Sequence, residues 1–122
     1  MLIAARLAVG LVALLHVQFL VLEMFLWQTP TGLKVFRQSA ENAALTAVLA
    51  KNQGLYNGFL AAGLAWGIIL SVQGAAHARS VMVFFLACVI VAGLYGAATA
   101  AKNILFVQAL PAVLALALVL LA

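Results

Sequence analysis

The sequence predicts an all-α membrane protein: an antiparallel four-helix transmembrane bundle with a long, partly helical first connection, built as one domain over residues 1–122. Three observations carry this. Hydrophobic residues make up 69% of the chain and charged residues only 7%, against roughly 25% charged residues in soluble domains. Mean hydropathy is +1.29. Four apolar runs approach the roughly 20 residues that a spanning helix requires, and the last three are joined by turns too short for anything but antiparallel neighbours.

The first run covers about residues 2–27, with Arg6 near its start able to snorkel to the interface. It does not read as a signal peptide, because it is long and no small-residue cleavage site leads into a soluble domain. The second covers about 54–72, the third about 81–98 and the fourth about 103–121. Between the first and second lies the exception, residues 28–53. Thr29-Pro30-Thr31-Gly32 is expected to stop the first helix. Residues 32–37 then suit the interface, with apolar side chains in lipid and Lys34 and Arg37 among headgroups. Ser39 reads as an N-cap and Glu41 suits the first turn of the helix that follows. That helix is alanine- and leucine-rich and runs on into the second span, with Gly54 a point where it can bend. No internal repeat is evident.

Six basic residues against two acidic give a net charge of +4. Scattered over short connections, they do not make a nucleic-acid surface. They read as topology signals: Lys34, Arg37, Lys51 and Lys102 on one side, Arg6 and Arg79 on the other. Four against two favours a cytoplasmic first connection and outward termini in a multi-pass protein of the bacterial inner (plasma) membrane. The lipid bilayer is then the first partner, and nucleic acid is not one. The chain leaves room for a homo-oligomer. Cys88 lies in an apolar stretch and reads as a small buried hydrophobe.

Glu23 is the residue that invites a functional reading. A carboxylate in lipid must be protonated, paired or hydrated, so its presence marks a working group or a tightly paired one. His16 precedes it by two helical turns, on nearly the same face, with Trp27 one turn further on. A second polar concentration opens the second span: Asn52, Gln53, Tyr56 and Asn57 fall within an arc of about 140°, among Gly54 and Gly58, which permit close approach. Tyr95 and Gln108 add polar groups on the third and fourth runs. The sequence therefore predicts one inward pocket for a small lipophilic or amphiphilic ligand, lined by these residues. Any single Asn, Gln or Tyr among them also fits a plain interhelical hydrogen bond, and Gly93 and Gly96 fit close helix packing. His16 and Glu23, about 10 Å apart in rise, do not make a metal site, and no cofactor is expected. Nucleophile, phosphate-loop and metal-ligand motifs are absent.

These residues together resemble the bacterial domain-of-unknown-function family numbered 1304, small four-helix membrane proteins that sometimes carry the label epimerase. The resemblance runs over nearly the whole chain. It rests on His16, Glu23 and Trp27, on Asn52-Gln53-Gly54-Leu55-Tyr56-Asn57-Gly58, on Gly93-Leu94-Tyr95-Gly96 and on Gln108-Ala109-Leu110-Pro111-Ala112. The second-helix motif is the most specific. The resemblance implies the four-helix architecture and that these positions act together; it supplies no reaction.

Three functions fit. In the first, a membrane enzyme isomerises or epimerises a small lipophilic molecule, with Glu23 as base and His16 as partner. Asn52, Gln53, Tyr56 and Asn57 would orient the substrate, much as polar residues do in sterol-isomerase-type bundles. In the second, a proton-coupled transporter alternates Glu23 between proton and cargo, as small multidrug exporters do, with Trp27 and Tyr56 offering aromatic faces. The third is a structural or assembly subunit in which the polar face fixes helix register.

Overall fold

In a computed structural model, residues 2–122 fold into helices joined by short turns, with no strand among the described residues. In chain order these are α1 (Leu2–Met24), α2 (Pro30–Val35), α3 (Ala40–Val72), α4 (Ala78–Thr99), a π-helical turn (Leu105–Ala109) and α5 (Leu110–Leu121). α1, α3 and α4 are long and apolar enough to cross a membrane; the fourth apolar stretch, Leu105–Leu121, is shorter. These elements are compatible with a helical membrane bundle.

The chain divides into two compact units, one holding the chain up to Leu15 together with Leu60–Ala122, the other His16–Phe59. In the first unit each helix buries one narrow stripe. Ala5, Val9 and Val12 on α1, Met82, Leu86 and Val89 on α4, and Ala112, Ala115 and Val119 on α5 recur every three to four residues and pack around Leu64. The opposite faces are just as apolar: Ile3 and Leu7 are each 70% exposed. A chain that is hydrophobic on both faces of its helices has lipid as its outer solvent.

Glycines bring these helices together. A Cβ at Gly63 would fall 2.3 Å from the Phe85 ring and one at Gly67 would fall 2.6 Å from Met82 Cγ, so this GxxxG pair seats α4 against α3. A Cβ at Gly93 would stand 2.8 Å from the Ala109 backbone nitrogen, and Gly96 meets Ile104. Both glycines therefore serve packing, as the sequence suggested. The π turn follows from Pro111. Proline offers no N–H to the carbonyl four residues back and its ring crowds that carbonyl, so the preceding turn widens and Leu110 N–H donates to Leu105 O instead.

Two arginines are spent inside this unit. Arg6 donates from Nη2 to the Ser71 carbonyl at 2.7 Å and from Nε to Ser71 Oγ at 3.0 Å. Arg79 donates to the Leu120 carbonyl. Each cation meets a carbonyl in the last turn of a helix, where the dipole is negative, and the Ser71 carbonyl also accepts from Gly74 N–H. Arg79 is thus a helix cap, beyond the topology signal its place in a short connection suggests.

Several boundaries differ from the sequence reading. α1 ends at Met24, not Trp27. Thr29-Pro30 starts a helix and does not merely stop one: Thr29 Oγ1 accepts from Gly32 N–H at 3.3 Å, with Pro30 at the first helical position. Ser39 does cap α3, accepting from Asn42 N–H at 3.1 Å, and Glu41 sits in the first turn. α3 is one continuous helix of 33 residues, about 50 Å long.

Candidate functional site

The second unit contains the end of α1, α2 and the first half of α3. On α1, His16 and Glu23 continue the buried stripe, 0% and 6% exposed respectively. The His16 ring meets Phe19 edge-on, with centroids 5.4 Å apart. The unbroken helix keeps His16 about 10 Å along the axis from Glu23, and the structure puts both on one buried face.

Glu23 has its partner on α3. Asn57 Nδ2 donates to Glu23 Oε1 at 2.8 Å, across 34 positions of sequence. Gly54 makes the approach possible: a Cβ there would lie 2.7 Å from Met24 Cγ, 3.1 Å from Glu23 Cβ and 3.2 Å from the Leu20 carbonyl. Gly58, one turn on, receives the Leu20 side chain. The GxxxG pair Gly54/Gly58 thus holds α3 against α1 at hydrogen-bonding distance.

The phase of α3 decides which of the expected polar residues join this pair. Its buried positions in this unit are Ala43, Ala50 and Gly54, with Asn57 and Gly58 half-buried; Asn52, Gln53 and Tyr56 are exposed. Asn57 lies about 60° around the helix from Gly54, whereas Asn52 and Tyr56 lie about 160° from it. The structure therefore brings together Glu23 and Asn57 and leaves Asn52, Gln53 and Tyr56 on the outer side of α3.

Trp27 reaches α3 from the turn after α1. Its Nε1–H lies 3.1 Å from the Ala43 carbonyl and 3.2 Å from Thr46 Oγ1, and its ring packs on Phe36 at 4.7 Å. Thr46 and Phe36 are participants the sequence reading missed. α2 packs beneath them through Gly32, where a Cβ would fall 1.9 Å from the Leu26 carbonyl. The signal was present in Thr29-Pro30-Thr31-Gly32, but a turn and a helix start share those letters.

Tyr95 and Gln108 belong to the other unit. Tyr95 is 72% exposed and lines, with Phe84, Ala87, Cys88, Val91 and Ala92, a shallow depression of about 560 Å³ along α4. Cys88 is half-buried in that wall. Gln108 sits half-buried in the π turn.

The fold and its buried pair define a class: an all-helical protein of membrane type, carrying a carboxylate hydrogen-bonded to an amide inside its helices. The comparisons with known proteins narrow it. The family model described as "Protein of unknown function (DUF1304)" matches residues 10–120, and the chain belongs to that family. It is 34% identical over 108 residues to the Uncharacterized protein YpaA of Lactococcus lactis subsp. lactis (strain IL1403), covering 87% of each chain. No solved structure matches.

Proposed function

We propose that this protein is an enzyme of the bacterial inner membrane that moves a proton on a small lipophilic or amphiphilic molecule, with Glu23 as the acid–base group. The observation that carries the reading is the Glu23–Asn57 bond: Glu23 is 6% exposed, its Oε1 2.8 Å from an amide donor. Asparagine serves both protonation states. Its NH₂ donates to a carboxylate, and its oxygen accepts from a carboxylic acid O–H. Glu23 would take a proton from a carbon next to a carbonyl while the C–H electron pair moves into the enolate. Returning that proton to the opposite face gives epimerisation, and to a neighbouring carbon gives isomerisation. His16, on the same buried face, would bind the far end of the molecule or relay the proton by water. Asn52, Gln53 and Tyr56 would meet a ligand only from the outer side of α3, so the proposed centre is confined to Glu23, Asn57 and His16.

A second reading, in which the pair only fixes helix register, is favoured by the close seating of Gly54 on Leu20, Glu23 and Met24. One experiment separates the two. Purified protein in lipid nanodiscs is incubated in D₂O with a lipid-soluble extract of bacterial membranes, and the extract is analysed by mass spectrometry. Proton abstraction and return leaves deuterium in one extractable species with the parent and none with Glu23→Gln. No Glu23-dependent incorporation would overturn the enzyme reading. Glu23-dependent uptake into proteoliposomes without isotope exchange would assign the protein as a proton-coupled carrier instead.

A further inference from the structure

The six cations of this chain are not equivalent. Arg6 and Arg79 are occupied as helix caps. Lys34, Arg37 and Lys51, all in the second unit, are exposed, and none of their head groups makes a hydrogen bond or ion pair among the described residues. Two of them stand together at the end of α2, whose inner face is fixed by Gly32 on the Leu26 and Trp27 carbonyls and by Phe36 on the Trp27 ring. Its outer face presents Lys34, Val35 (52% exposed) and Arg37.

The backbone at Arg37 adds a second observation. Arg37 N–H donates to the Lys34 carbonyl at 3.3 Å and Gln38 N–H to the Leu33 carbonyl at 3.1 Å. This is a Schellman ending, which requires a left-handed residue after the cap. α3 ends the same way and uses Gly74 there, at φ +73°. At the end of α2 the residue is Arg37, at φ +51°, the only non-glycine with positive φ among the described residues. An arginine there strains the backbone where glycine would not, so a use for its side chain would account for the strain.

We propose that Lys34 and Arg37 form a docking site for one anionic phospholipid headgroup, with Val35 against the acyl region beside it. The segment follows directly on a membrane-length helix, which places it at the bilayer boundary, and the charge is complementary. Of the chain's two acids, Glu41 is exposed in the first turn of α3, where the helix dipole already favours it. Arg37 supplies a planar two-pronged donor for a phosphodiester and Lys34 a point charge. The site does not depend on Glu23.

The decisive variant is Arg37→Gly, because it suits the left-handed backbone while deleting the guanidinium. Parent and variant are extracted from nanodiscs of mixed phosphatidylglycerol and phosphatidylcholine, and retained lipids are counted by native mass spectrometry. Melting is measured in parallel in uncharged detergent. One cation at a bilayer surface is worth about fivefold in affinity. Arg37→Gly should therefore melt no lower than the parent yet retain phosphatidylglycerol about fivefold less, and Lys34→Gln should lose it similarly. Lys102→Gln, an exposed cation in the other unit, should retain it like the parent. Unchanged retention in Arg37→Gly, equal loss in Lys102→Gln, or equal retention of phosphatidylcholine by the parent would overturn the site. Displacement of the bound lipid by soluble glycerol phosphate would overturn its assignment to a membrane lipid.

Discussion

Gly54 and Gly58 are one turn apart on the same helix, yet alanine should be costly at the first and nearly neutral at the second. Alanine in a helix interior is worth about 1 kcal/mol over glycine, and this gain is common to both. At Gly54 the new Cβ would meet Met24 Cγ at 2.7 Å, Glu23 Cβ at 3.1 Å and the Leu20 carbonyl oxygen at 3.2 Å. The last two belong to, or sit directly on, the α1 backbone and cannot rotate away. The helices must separate, and overpacking of this kind costs about 1–3 kcal/mol. Net destabilisation of about 1 kcal/mol is expected for Gly54→Ala, on the order of 4 °C in melting temperature for a chain of this size. At Gly58 the new Cβ would meet only Leu20 Cδ1 at 2.6 Å, with Leu20 Cγ already at 3.9 Å. A leucine terminus can turn aside for about 0.5–1.5 kcal/mol, so Gly58→Ala should be close to neutral.

The assay is thermal unfolding of both variants and the parent in one detergent. Infrared spectra of the Glu23 carboxyl band read the neighbouring bond. Gly54→Ala should perturb that band, because moving α1 off α3 lengthens the Asn57 contact, and Gly58→Ala should leave it alone. Equal melting temperatures for the two variants, or a greater loss at Gly58, would refute the reasoning that α1 and α3 meet backbone to backbone at Gly54.

Two further substitutions probe the same unit. Asn57→Leu removes the donor to a buried carboxyl and should cost about 1–3 kcal/mol; adding Glu23→Leu should recover part of that loss, and a strictly additive double mutant in thermal unfolding would show that the two side chains are not coupled. Gly32→Ala places a Cβ 1.9 Å from the Leu26 carbonyl and 2.7 Å from that of Trp27, a clash no side-chain rotation relieves, so α2 should undock; limited proteolysis should then cut within residues 28–38 and Trp27 emission should shift, whereas parent-like resistance would refute the packing.

Much of this was legible in the sequence because lipid imposes simple rules. Apolar length gave the helices, Ser39 followed by Glu41 gave the start of α3, and the cost of an intramembrane carboxylate marked Glu23 as inward. What stayed hidden depends on partners distant in sequence. Four polar residues within 140° of arc look like one face, but the face that matters is set by where the neighbour packs. Gly54 draws α1 to its own side, which puts Asn57 at the margin of the contact and turns Asn52 away. Arg79 and Leu120 are 41 positions apart, and nothing local in either marks a cap. The π turn was closer to legible, since Pro111 forbids a regular bond to Val107, but proline says only that the helix must yield and not whether it bends or widens.

The end of α1 and the turn after it are held to α3 by two ties of different character, one through Trp27 and one through Glu23. Trp27 reaches the Ala43 carbonyl and Thr46 through an indole packed on Phe36, so breaking this tie would also expose aromatic surface. Glu23 and Asn57 share a single side-chain bond, and such bonds between membrane helices average only about 0.6 kcal/mol in net worth. A ligand or water offering Glu23 an equivalent donor could replace Asn57 at little cost, while Trp27 and the Gly54 contact hold the helices in place. A purely structural latch would gain from being the stronger of the two ties. The buried carboxyl has instead the weaker, exchangeable one, which is what the proposed proton transfer would require of it.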